Sequence, residues 1–507
     1  MTEARSNEEL TRATAEGLRW ITLARIGTEL LLVVAMIVLA RLIPPSAFGM
    51  FAVAVIVQEL AVNVPSEGIS SALVQRKTVR REHMQVGLAA TLLGGCALSL
   101  ATLALAVVLV KPVLGTDTAE LVALTTPWYL LGAVVALPMA TLRRRLDFRR
   151  LSILALVQST GRSLGSVFFA LTFGLDGAAL VLGGLVGMAA MVAVAIAFAP
   201  PPLPRWNTRA LRDLLPYGGP AALASFSWAG FRNGDYAIIG ATLGPAQAGF
   251  YWRGFQLAVE YQTKISVVMT QMAFPVLART EHADAMFELR RRMVRLLTVV
   301  VFPALAMLAV LAPVLIPWLF GPAWEPAVLP TQILVGAGAA TVVIDAVGTV
   351  FMASGRARAL LGYGVAHFAC YVAAVLFASS YGLAAVAAAG VGVHLAFVVV
   401  AYQMLLHGRA DRALRFLWDD VSAACAGCAA LVAVALPSSE VLGSLGVPAV
   451  PQLTVVAAAG CAVYLGVLRM WFPADAADLF KLIRRVVPHQ RLAPLMRRVP
   501  GLAGRST

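Results

Sequence analysis

Arg253, Gln256, Glu260, Lys264 and Gln271 recur at offsets of 0, 3, 7, 11 and 18 within an otherwise apolar stretch of this chain. On a helix that spacing draws one polar stripe. A charge facing hydrocarbon costs at least about 2.5–3.5 kcal/mol on insertion scales, so such residues face a cavity or a partner. Shorter stripes occur in three other apolar stretches. Arg25 and Glu29 lie four apart in the first, and Gln58, Glu59 and Asn63 sit in the second. Ser225, Trp228, Arg232 and Asp235 follow at offsets of 0, 3, 7 and 10 in the seventh, beside Asn233.

The basic members are Arg25, Arg232, Arg253 and Lys264, and the acidic ones are Glu29, Glu59, Asp235 and Glu260. Their formal total is near zero, which argues against a strongly cationic anion trap. It fits a site where the basic groups, with Gln256, hold a phosphate while a carboxylate takes a proton or Na⁺ for coupling. A low dielectric disfavours the charged form of a carboxylate, so it takes up a proton at a higher pH than in water and can titrate usefully. Glu59 and Glu260 stand 10 and 11 residues past Gly49 and Gly249, near-equivalent places in an internal repeat. Self-contained pairs that ease insertion, such as Arg25–Glu29 or Glu260–Lys264, are the plainer reading of any one stripe. Recurrence on four stretches favours a shared cavity.

Other embedded polar residues carry less chemistry. Arg162, between Gly161 and Gly165, either reaches a cavity or snorkels. Asp345, His367 and His394 read as helix–helix hydrogen-bond partners, and Gly183 and Gly187 as packing positions. Pro303, Pro313 and Pro317 predict a bent ninth helix. Cys425 and Cys428 form a CxxC with neither a second pair nor a nearby His, so they read as small buried residues. No P-loop, DxD pattern or catalytic triad is present. No catalytic residue, metal site or cofactor is expected beyond H⁺ or Na⁺ as a coupling ion.

The elements that must position these residues are long and apolar. Fourteen stretches are each long enough to cross about 30 Å of hydrocarbon as a helix. They run approximately 20–42, 47–64, 84–110, 119–142, 151–173, 177–199, 218–243, 247–273, 296–320, 329–352, 359–379, 383–406, 421–437 and 450–471. Apolar residues make up 60% of the chain and charged ones 13%, which excludes an ordinary soluble domain. Of the 40 Lys and Arg, 32 fall in the tails or alternate loops, two (Arg41 and Lys111) in the opposite loops, and six inside the stretches. Loops rich in Lys and Arg stay cytoplasmic. The chain is therefore expected to be a multi-pass protein of the inner or plasma membrane with both termini in the cytoplasm. The net charge of +14 follows from that bias and suits anionic lipid headgroups, so no nucleic acid is expected. Residues 1–19 mix acidic and basic groups and do not read as a signal peptide.

Leu42 to Phe51 (LIPPSAFGMF) and Leu243 to Tyr251 (LGPAQAGFY) share the order Leu, Pro, Ala, Gly, aromatic. Six stretches separate them, so two halves of like orientation are expected about an axis along the membrane normal. The expected organisation is a cytoplasmic N-terminal tail at 1–19, a first lobe at 20–199, a Pro- and Arg-bearing linker at 200–217 and a second lobe at 218–406. An extra helix pair at 421–471 and a basic amphipathic tail at 472–507 follow. Leu479, Leu482, Ile483 and Val486 share one face of that tail, which predicts a helix lying on the cytoplasmic leaflet.

Three segments carry a likeness to a known family: Ala40 to Gly49 (ARLIPPSAFG), Gly68 to Lys77 (GISSALVQRK), and Leu142 to Leu151 with Arg145, Phe148 and Arg149. Together they resemble bacterial oligosaccharide flippases of the Wzx type, a branch of the MOP exporter superfamily, over most of residues 20–400. The resemblance implies an all-α polytopic fold with two six-helix lobes around a central cavity, working by alternating access. It implies transfer of a polyprenyl-diphosphate-linked oligosaccharide from the cytoplasmic to the outer leaflet. Basic residues on helices 1, 7 and 8 are thought to meet the diphosphate in that family, and Arg25, Arg232 and Arg253 occupy those helices. The extra helix pair corresponds by analogy to one that forms a lipid-tail groove in lipid II flippases.

Membrane lipids and the lipid-linked oligosaccharide are the expected partners of a monomeric chain, with a polysaccharide polymerase or glycosyltransferases as candidate protein partners. A multidrug or organic-cation antiporter of the same superfamily is the alternative, and it would call for a net acidic, aromatic-rich cavity. A membrane glycosyltransferase or polymerase would need a long loop bearing paired acids, and no loop here is long enough.

Overall fold

The computed structural model describes the backbone of residues 27–264, 266, 283–354, 356–406 and 410–486. Within these, the side chains at 57–58, 60–67, 220–233, 283–286, 353, 357–358, 410–411 and 482–486 lie outside the description. The described chain is helical throughout, with no strand. Its helices are α1 (27–42), α2 (Pro45–Gln75), α3 (Arg81–Leu114), α4 (Thr116–Arg144), α5 (Phe148–Phe173), α6 (Gly177–Phe198), α7 (Leu215–Leu243) and α8 (Pro245–Phe255, continued by a π turn). They continue with α9 (Ala283–Phe320), α10 (Val328–Ala353), α11 (Ala357–Ala378), α12 (Leu383–Leu405), α13 (Ala410–Ser444), α14 (Ala449–Trp471) and α15 (Pro473–Val486).

Among the described residues, ten helices are long and apolar enough to span a membrane. They are α3 to α6 and α9 to α14. The helices also outrun their apolar stretches: α9 starts at Ala283 rather than near 296, and α13 at Ala410 rather than near 421. The basic cluster at 290–295, which precedes the apolar stretch beginning near 296, is therefore helical. α9 also runs through Pro303, Pro313 and Pro317 as one helix.

The chain divides into two compact units. One runs to Trp252 and takes in Leu319–Trp324; the other comprises Arg253–Trp318 and the chain from Glu325 onward. In the first unit α7 lies antiparallel along α2. Gly218 approaches Gly68 and Ala72, while Gly240 approaches Val53. α5 and α6 close on each other where Gly161 meets Gly187 and Gly165 meets Gly183, the small-residue seam that tight helix packing requires.

In the second unit one core joins α9, α10, α12 and α13 through Leu297, Val301, Val343, Val347, Val398 and Ala401. Another joins α9 to α13 and α14 through Val299, Val310, Leu431 and Tyr464, whose hydroxyl donates to the Val299 carbonyl at 2.8 Å. α15 docks here through buried Ala476 and Leu479. Arg292 grips Asp478 with Nε and Nη2 at 3.0 and 2.9 Å, and Arg295 faces Asp475 at 3.6 Å. These two acids hold the start of α15 against α9.

Candidate functional site

The repeated turns meet each other. Pro44 and Pro45 start α2, and Gly244, at φ +92°, and Pro245 start α8. A Cβ at Gly49 would fall on the Pro245 carbonyl oxygen, and one at Gly249 on the Pro45 carbonyl oxygen. The contact is reciprocal. Aromatic rings pack around it. Phe48 stands 5.3 Å from Trp324 and 6.1 Å from Trp252, and Phe250 is 6.1 Å from Trp324. The fully buried Trp324 indole donates to the Ala40 carbonyl at 2.8 Å, and Arg41 Nε donates to the Leu319 carbonyl at 2.9 Å.

The stripe residues of the first unit sit on three helices. Glu29 on α1 and Glu59 on α2 are half-buried. Asp235 on α7 is buried, and its carboxylate accepts the Tyr236 backbone N–H at 3.0 Å. Arg25 and the side chains of Gln58, Asn63, Ser225, Trp228, Arg232 and Asn233 lie outside the described residues.

In the second unit Arg253 is fully buried and donates to Gln256 Oε1 at 2.8 Å, so the i, i+3 pair is real. Glu260 and Lys264 are half-buried. Glu260 lies within electrostatic reach of the Arg253 guanidinium, and the Lys264 ammonium stands 5.0 Å from the Tyr261 ring centre. Gln271 lies outside the described residues.

One local feature changes the stripe. Gln256–Glu260 is a π turn, which inserts one residue into the helical count. It turns Glu260 and Lys264 back by about 100° relative to Arg253 and Gln256, widening their arc from about 80° to about 120°. Helix α10 supports the turn, since Gly338 admits the Ala258 carbonyl oxygen and Gly254 packs on Thr331. The π turn therefore spreads these residues over a wider band than even α-helical offsets draw. π turns are frequent at functional sites because they re-aim side chains without ending the helix.

Sequence reasoning missed a second ionic centre. Arg290 and Asp420, each 1% exposed, pair at 2.5 Å, and Tyr402 donates to the same Asp420 Oδ2 at 2.6 Å. The available signal was Asp419-Asp420 heading an apolar stretch, opposite in charge to the 290–295 cluster. On the first unit's basic end, Arg144 Nη1 donates to the Leu73 and Arg76 carbonyls at 2.6 and 2.5 Å, closing the C-terminus of α2. Asp213 there accepts from His83 Nε2 at 3.2 Å and pairs with Arg76 at 2.8 Å. The His83 hydrogen bond, then the Arg76 charge, hold its carboxyl below the usual range.

The model of a family described as polysaccharide biosynthesis protein matches residues 38–329. The lipopolysaccharide biosynthesis protein WzxC of Escherichia coli K12 is 25% identical over 410 residues, covering 77% of this chain and 79% of that protein. Among solved structures, the lipid II flippase MurJ in an inward closed conformation superposes with a TM-score of 0.71 at 11% identity, covering 90% of this chain and 99% of that one. An inward-facing multidrug-resistance MATE transporter of the MOP superfamily gives 0.60 at 16% identity, covering 77% and 95%. These likenesses fix the fold as that of the MOP transporters.

Proposed function

The chain belongs to the polysaccharide biosynthesis protein family, and from that premise we propose that it flips a polyprenyl-diphosphate-linked oligosaccharide across the plasma membrane by alternating access. The observation that carries this reading is Arg253: a fully buried guanidinium, hydrogen-bonded to Gln256, on a π-turned helix of a MOP-fold chain. A guanidinium offers a planar fork matched to phosphate oxygens. Its complete burial here suits a site that is covered in one state and opened to substrate in another.

Arg25, Arg232 and Lys264, like Arg253 and Gln256, are assigned to binding the diphosphate and sugars. Glu59 and Glu260, with Glu29 and Asp235, take the coupling cation when the anion leaves. The WzxC name and the MurJ fold support a lipid-linked saccharide over a soluble one. The basic ends of α2, α4 and α9 support a cytoplasmic position for both termini.

The test deletes the gene and identifies the lipid that builds up on the cytoplasmic leaflet. A polyprenyl-diphosphate saccharide is the expected species. If no such lipid accumulates and the mutant instead retains a cationic dye, the organic-cation antiporter replaces this reading.

A further inference from the structure

His367 and His394 were read from sequence as separate hydrogen-bond partners between helices. The structure brings them together and gives neither that role. Their rings stand edge to face with centroids 4.8 Å apart, one from α11 and one from α12. His394 Nδ1 lies 2.8 Å from the Gly390 carbonyl of its own helix. A carbonyl only accepts, so Nδ1 carries the hydrogen and Nε2 is left as the basic nitrogen. His367 Nε2 is buried and has no hydrogen-bond partner among the described residues.

An aromatic cage surrounds the pair. Phe397 packs 4.7 Å from His367, Tyr371 stands 5.4 Å from His394, and Tyr363 lies 6.0 Å from His367. The Tyr363 hydroxyl is committed to the Phe397 carbonyl at 3.0 Å. The carboxylate on α10 that bears on this cage is Asp345, which acts on Tyr363. On α13, Asp420 is taken by Arg290 and Tyr402, two turns of α12 beyond His394. Ring packing alone would be served by phenylalanine without desolvating two imidazoles. Both histidines also sit at the middle of their helices, 11 residues from the C-terminal ends Ala378 and Leu405.

We propose that His367 and His394 form a one-proton binding site at mid-membrane depth, through which the proton gradient drives the transport cycle. Two imidazolium charges cannot share so short a separation in a low dielectric, so the pair takes up one proton from water on one side and returns it to water on the other. Imidazole binds H⁺ and not Na⁺, which makes the coupling ion a proton. The pair acts alongside the carboxylates of α2 and α8, and the inference rests on the flippase reading above.

Two measurements on the full-length protein test it. The chain has six histidines, few enough for ¹⁵N-histidine spectra in lipid nanodiscs to resolve the pair. One shared protonation between about pH 4 and 8 is expected, with His367→Phe shifting the titration of His394 and the reverse. In proteoliposomes, the rate of lipid-linked saccharide transfer with a one-unit pH gradient, divided by the rate without one, should fall at least threefold toward unity in His367→Phe and in His394→Gln. No protonation of either ring in that range, an unchanged ratio in both variants, or a wild type that answers Na⁺ but not a pH gradient overturns the proposal. A wild type that transfers no saccharide under any gradient overturns the flippase reading instead, while the spectra still decide the proton site.

Discussion

At the scale of single residues, the proposed transfer rests on the Arg253 guanidinium, three residues before the π turn, and on the Glu260 carboxylate that ends it. Arg253→Ala should reduce saccharide transfer at least tenfold, as complementation of the deletion strain would show, while membrane levels of the protein hold. Arg253→Lys keeps the charge but loses the fork, so it should recover only part of the rate. If both variants transfer normally, Arg253 has no part in holding the diphosphate. Glu260→Gln should make transfer indifferent to an imposed ion gradient, and a gradient response equal to wild type removes Glu260 as a coupling group. These residues were legible because charge in an apolar stretch needs a reason. The π turn was not, since nothing in Gln256-Leu257-Ala258-Val259-Glu260 announces an extra residue per turn. That register depends on the fit of Ala258 against Gly338, a contact between residues 80 apart.

At the scale of elements, two contacts make separable predictions. Gly49 and Gly249 leave no room for a side chain, so Gly49→Ala must push α2 and α8 apart. Overpacking of this kind costs about 1–3 kcal/mol. A lowered melting temperature in detergent is expected, and an unchanged one would mean the turns yield freely.

The second contact holds α15. Arg292 first, then Lys481, hold the Asp478 carboxyl below its ordinary 3.8. A carboxyl depressed by folding stabilises the native contact above its unfolded pKa, and that contribution disappears as pH falls through the folded value. Docking of α15 should therefore be intact at neutral pH and loosen below about pH 4. Arg292→Ala should loosen it at neutral pH by about 0.5–1 kcal/mol, the worth of a partly exposed bidentate pair. Hydrogen exchange along Pro473–Val486 measures both effects, and equal protection in variant and wild type would show that Ala476 and Leu479 hold the helix alone.

The likeness of the two proline–glycine turns and the amphipathic face of α15 could be read from sequence, because periodicity and turn residues are local signals. Which surface α15 would choose could not be read, because its partners Arg292 and Arg295 lie about 180 residues away.

At the scale of the whole molecule, a multi-pass membrane protein of polysaccharide biosynthesis shares its fold with MOP transporters. The charge asymmetry predicts which turns face the cytoplasm. Leu146, between α4 and α5, and Leu445, between α13 and α14, are both exposed. On a background with its five cysteines replaced, Leu146→Cys should react with a membrane-impermeant maleimide only in inverted vesicles, and Leu445→Cys only in intact cells. Labelling of both from the same side would refute the orientation. The asymmetry was legible because it is a sum over many residues and tolerates errors at any one boundary. The histidine pair was not, since two helices must pack before a ring on each can be seen to share a cage.

The mutual fit of the two proline–glycine turns has a bearing on how this chain can evolve. Each supplies the backbone oxygen that the other's α-carbon must clear, so neither can gain a methyl group without evicting its mate. The likeness of two segments some two hundred residues apart is thereby policed by sterics. Drift elsewhere leaves this one matched pair to change in step or stay as it is.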